Sequence, residues 1–202
     1  MTVTQLLAQA FSVARGRLPE VQKAWVAASH RMGGLLPNSL LAPSIYKLGD
    51  LDLVLRCMED ERASADLDAK ESDRLLIMLS EQWVGSAYAV AWVLKEREPS
   101  VRDWEGFNAF YRDLWLLRIP LEKYEIAADK KLPPELPMQK VPPNEDASDS
   151  YIYAKDDPKR AHIMPRSLSQ RGSLVWLAVA GPTEQRWLER RELSDRALGV
   201  WT

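Results

Sequence analysis

The chain has 202 residues, 46% of them hydrophobic, with 29 Asp+Glu against 27 Lys+Arg for a formal net charge of −2. That length supports one substantial core, or one core with a small appended unit, and the near-balance of charge argues against binding nucleic acid through an overall positive field. Cys57 is the only cysteine, so an intrachain disulfide and a CxxC metal or redox site are both excluded, which suits a reducing cytoplasm.

Val3, Leu6, Leu7, Ala10, Phe11 and Ala14 recur at three- and four-residue spacing, predicting an amphipathic helix that stops near Gly16. The segment lacks a basic leader and a continuous apolar run, so no signal peptide is expected. Pro19 suits the first position of a second helix that runs to about Met32 and ends at Gly33-Gly34. Pro37 and Pro43 predict a loop with at most one short turn of helix. Residues 51–58, LDLVLRCM, fit either a strand, with Leu51, Leu53, Leu55 and Cys57 alternating, or a helix capped by Asp50; the charged continuation favours helix.

The stretch LLIMLSEQWVGSAYAVAWVL (75–94) reads as a helix with apolar side chains on nearly every face, the centre of a bundle, within a helix from about 69 or 70 to 97. Leu75, Leu79, Trp83, Val90 and Val93 share one side and Ile77, Val84, Tyr88 and Trp92 the other, so neighbours are expected on both. Glu81, Gln82 and the charged flanks argue against a membrane span. Ser100 resembles a helix start, and Trp104, Phe107, Phe110, Tyr111, Leu114 and Leu117 supply an inward stripe up to Pro120, with further helix after it. Residues 132–150 hold five prolines and read as an extended connection, the least protected backbone of the chain.

Beyond it the pattern turns to strand. Leu174 to Ala180 and Gln185 to Arg191 predict an antiparallel hairpin, the first strand covered on both faces and the second nearer the edge, with Ser194 capping a last short helix that ends at Gly199. The expected fold is mainly α: a helical domain over 1–131, a proline-rich connection over 132–150, and a hairpin with a short helix over 151–202 packed on the first domain. The eight tryptophans, spread from Trp25 to Trp201, are read as core wedges.

Three groupings could carry chemistry. Glu81 sits among Trp, Leu and Val side chains, which would penalise its charge unless it is paired; Arg118 and Arg112 are the expected partners, and Glu81 with Arg118 is the candidate pair for a helical enzyme or small-ligand binder. The C-terminal segment, 151–202, carries nine Lys+Arg against six Asp+Glu. If Lys155, Lys159, Arg160, His162, Arg166, Arg171, Arg186, Arg190 and Arg191 converged they would bind an anion or a nucleic acid, with Lys159, Arg160, His162, Arg166 and Arg171 the nearest candidates; interspersed acids favour a charged edge-strand face instead. Arg190 is expected at the surface.

The third is Gly49-Asp50-Leu51-Asp52-Leu53-Val54. With Gly33-Gly34 upstream it faintly resembles the D-x-D element of polymerase-β-like nucleotidyltransferases, and the resemblance implies two-metal transfer chemistry at Asp50 and Asp52. The Gly34 to Asp50 spacing is longer than in that family and no third carboxylate is placed; the preferred reading is Asp50 as helix cap and Asp52 as a first-turn acid. With only His30 and His162, H-E-x-x-H sites are absent, as are phosphate loops, nucleophile elbows and the R-x4-6-H motif of HEPN ribonucleases. The balance of these readings is a non-catalytic cytoplasmic protein acting through a protein partner or its own copy, without cofactor, metal, membrane or nucleic acid.

Overall fold

The computed structural model describes residues 1–64, 69–127, 129–139 and 150–202. Among them run six α-helices, α1 (Val3–Arg17), α2 (Pro19–Leu35), α3 (Leu41–Ser64), α4 (Ala69–Arg97), α5 (Phe107–Lys123) and α6 (Arg190–Trp201), and five strands. The fold is mainly α with small antiparallel sheets toward the C-terminal part. No described helix is long and apolar enough to cross a membrane.

The helices begin where local chemistry lets them. Thr2 and Gln5 close a capping box on α1, each side chain bonding the other's backbone N–H. Pro19 opens α2, where a missing N–H costs nothing. The same reason lets Pro43 sit in the first turn of α3, so the expected loop over Pro43 is helix and Asp50 lies well inside it. The 51–58 stretch is helical, as the charged continuation suggested. Nor does α2 stop at Gly33-Gly34; it continues to Leu35. Gly49 is needed for packing, because a Cβ there would sit 2.6 Å from the Trp25 side chain where α2 crosses α3.

α3, α4 and α5 lie side by side, α1 crosses α3, and α2 and α6 pack beneath. α4 buries Trp83, Val84, Ala87, Ala91 and Leu94 against its neighbours. Its burial is not all-round, however: Leu75, Met78, Gln82, Ala89 and Trp92 form an exposed outer band. Ser100 starts only a 3-10 turn, Pro99–Asp103, and α5 begins after Gly106. Pro120 lies in the last turn of α5, which Tyr124 terminates in the left-handed region (φ 57°), so the expected continuation past Pro120 is only three residues, 121–123.

β3 (Arg166–Leu168), β4 (Leu174–Val179) and β5 (Gln185–Glu189) form one antiparallel sheet in that order. The expected hairpin is β4 with β5, Leu177 facing Trp187 and Trp176 facing Leu188; β4 is central and β3 supplies the second edge. The β3–β4 turn rests directly on α3: Gly172 has φ 71°, and a Cβ there would lie 2.2 Å from the Glu59 carbonyl oxygen, which leaves glycine as the one residue that fits. Within the expected 132–150 connection, Glu135–Gln139 is β1, paired antiparallel with β2 (Ser150–Ala154); residues 140–149 lie outside the described residues. Ile126, Leu132, Leu136, Met138 and Tyr153 pack together with Val179 of β4. The main core draws on α2 to α5 and equally on Trp176, Leu188, Leu193 and Trp201.

Candidate functional site

The richest polar cluster is built around Arg190, a residue expected at the surface and fully buried in the structure. Asp52, Arg56 and Glu59 recur at i, i+4 and i+7 on α3 and so share one stripe of the helix. Arg190, the first residue of α6, inserts between the two acids. Its Nε and Nη2 donate to Glu59 Oε1 and Oε2, both at 2.7 Å, and its Nη1 donates to Asp52 Oδ1. Asp52 Oδ2 accepts from Trp25 Nε1 and Arg56 Nε, each at 2.8 Å. Arg56 Nη2 reaches Ser194 Oγ (2.8 Å) and Asp195 Oδ1 (2.6 Å), and Ser173 Oγ donates to Glu59 Oε1 at 2.7 Å. Asp52, Glu59 and Arg190 are fully buried.

Burial opposes charge on Asp52, but Arg190 and Arg56 outweigh it and hold the carboxyl below its usual range. Both Asp52 oxygens are committed to protein donors. The cluster is therefore an internal clamp joining α3 to α6, not an open catalytic dyad. Asp50, 200° around the helix from Asp52, points away and pairs with Arg15 at 2.6 Å. The two aspartates do not converge, as a shared metal pair would require, and neither caps or opens a helix. Ser194, expected as a cap, is buried within α6 instead. No group of three or more His, Cys, Asp or Glu side chains among the described residues is arranged to hold a metal ion.

Glu81 is partly exposed and pairs with Arg166 of β3 at 3.3 Å, not with Arg118 or Arg112. Burial still raises its carboxyl above the ordinary value against the pull of Arg166. Arg118 lies level with Tyr88, two turns further along α4, where its guanidinium stacks 4.7 Å over the ring and bonds Glu122 at 2.7 Å. Tyr88 and Tyr111 share a hydroxyl contact of 3.1 Å, and Lys95 caps the Tyr111 ring at 3.9 Å, closing the α4–α5 seam. Arg112 makes only a 4.0 Å contact with Glu184. Glu81→Gln should therefore change stability by no more than about 0.5 kcal/mol, as for other half-exposed pairs. Urea denaturation is the check, and a loss several times larger would mean that the pair is sealed from solvent.

The C-terminal basic residues are dispersed among acids. Arg160 bonds Glu125 (2.8 Å) and Asp129 (3.2 Å), and Arg171 bonds Glu189 (2.8 Å) and reaches Asp195 (3.7 Å). Arg166 is held by Glu81 and Arg191 by Asp60, while Lys159 is exposed. His162 is buried under the β1–β2 hairpin, with Nδ1 2.7 Å from the Tyr151 hydroxyl. Burial pushes its pKa down to about 4, so it is neutral at pH 7 and brings no charge to an anion. His30 is exposed on α2.

What remains open is apolar surface. α1 buries Ala14, yet Val3, Leu7 and Ala10, on the same side of the helix, are exposed: the first turns overhang the body. Leu6 and Val13 flank that strip at 48% and 49% exposure. A groove of about 720 Å³ runs between α3 and α4, and a shallower one of about 440 Å³ between α4 and α5. Both flank the outer band of α4. Compared with protein-family models, with curated proteins and with solved structures, the chain finds no match.

Proposed function

We propose that this chain is a non-catalytic protein that acts through contacts with a partner protein or a second copy of itself. The observation that carries the reading is the overhang of α1. Its capping box satisfies backbone N–H groups at the helix start, and the side that packs Ala14 continues outward as Val3, Leu7 and Ala10, all exposed among the described residues. Aligned apolar side chains left in water on a well-formed helix have the pattern of a helix that docks elsewhere. Two rival readings draw less support: Glu81 and Arg118 face different partners, and the basic residues of the C-terminal part are mostly neutralised by acids. A reducing, cytoplasmic setting belongs to the proposal, supported by a lone, free and buried Cys57.

Native mass spectrometry and sedimentation of the purified chain, parent against Leu6→Asp/Leu7→Asp, test it. The parent should carry a second chain, its own or a copurifying one. The variant should retain its helicity but lose that chain, with affinity down about 100-fold or more for two buried leucines. A parent that is monomeric with nothing bound overturns the reading.

A further inference from the structure

The α3–α4 groove has a different character from α1. Arg62 near the end of α3 pairs with Asp73 near the start of α4, so the two helices run antiparallel, and the groove follows them from Leu51 and Gln82 near one end to Leu40 and Arg97 at the other. Along α4 that is a length of roughly 22 Å at 1.5 Å per residue. Leu51, Val90 and Val93 contribute to an apolar floor, and Lys47 and Arg97 stand exposed on the rim. No Asp or Glu among the described residues lines it, although acids outnumber bases in the chain as a whole. Unlike Arg160, Arg166 and Arg171, neither Lys47 nor Arg97 is engaged by a carboxylate among the described residues.

We infer that this groove receives an acidic amphipathic helix of a partner protein, about four turns long, with carboxylates against Lys47 and Arg97. A helix fits because the groove walls are themselves helices, whose backbone groups are already paired; an extended chain laid there would find no strand edge for its own N–H and C=O groups. The charge chooses the partner. The chain's own helix with an exposed apolar face, α1, has no Asp or Glu, so a second copy docking through it would bring no carboxylate to Lys47 and Arg97. The inference rests on the contact reading only in taking the occupant to be protein, and it uses a surface apart from α1.

The test is selection of a displayed library of helical peptides of roughly 15 residues on the full chain. The peptides carry apolar residues at i, i+4, i+7 and i+11 and randomised flanks. Selected peptides are then titrated by fluorescence anisotropy against the parent, Lys47→Glu/Arg97→Glu and Leu6→Asp/Leu7→Asp. Acidic flanks should dominate, the charge reversal should weaken binding about tenfold, and the α1 variant should bind as the parent does. Neutral or basic flanks, unchanged binding by the charge-reversed chain, or no binders at all would overturn the groove assignment. The two proposals fail separately: a parent that loses its associated chain on α1 substitution but selects no acidic helix keeps the first and sinks the second. A parent with no associated chain that selects acidic helices does the reverse.

Discussion

Replacing Arg190 by alanine is expected to destabilise the protein by about 3–5 kcal/mol, the usual cost of leaving a buried charge without its partner. The guanidinium makes two bonds to Glu59 and one to Asp52, and all three side chains are fully buried, so no solvent enters to replace it. The deficit should depend on pH in a defined sense. In the parent, the depressed Asp52 carboxyl contributes stability that is present above its unfolded pKa, near 4, and is lost as pH falls through the lower folded value. In the variant, a carboxylate buried without its guanidinium is pushed up, so acidification relieves it. Parent and variant should therefore converge as pH falls toward 4. Urea denaturation at pH 7 and pH 4.5 measures both, and an Arg190→Ala chain within 1 kcal/mol of the parent at neutral pH would contradict the clamp.

Trp176→Ala should cost a similar amount, about 3–5 kcal/mol, by a different route. Trp176 sits fully buried on the central strand β4, with Leu188 across the ladder and α4 and α5 packed on the sheet. Its removal opens a cavity at the junction of sheet and helices. Its indole N–H has no hydrogen-bond partner among the described residues, so the loss is one of volume and contact, not of a polar link. Trp176→Phe should accordingly recover most of the stability. A phenylalanine variant as damaged as the alanine one would show that the indole nitrogen matters.

The parts of the fold that local pattern encodes were readable. The three- and four-residue spacing of α1, the apolar run of α4 and the β4–β5 hairpin all depend on neighbours within a few residues. Pro43 misled because proline breaks helix interiors but not first turns. β1 was hidden by Pro134 and Pro137, which suit a strand only in a two-stranded sheet with a free edge. The clamp was hidden for a deeper reason. Arg190 is flanked by Glu189, Arg191 and Glu192 and looks like surface, while its acids lie 131 and 138 positions earlier. One signal was available: Asp52, Arg56 and Glu59 fall on a single helical stripe between buried Leu53, Leu55 and Cys57, an arrangement that calls for a distant cation. Glu81 shows the converse, since a run of apolar letters conceals which face meets solvent.

The distance between the clamp's halves has a consequence for how the chain matures. Asp52 and Glu59 are synthesised well over a hundred residues before Arg190, and Trp25 and Phe110 come 176 and 91 residues before Trp201, whose ring they meet edge-on at 6.0 and 5.6 Å. A nascent chain thus carries a helix with two acids facing an unfinished interior, and closing so long a loop precedes any reward from the contacts that it makes. The clamp cannot close until α6 exists, and the sides of Trp25 and Phe110 that meet Trp201 stay uncovered until then.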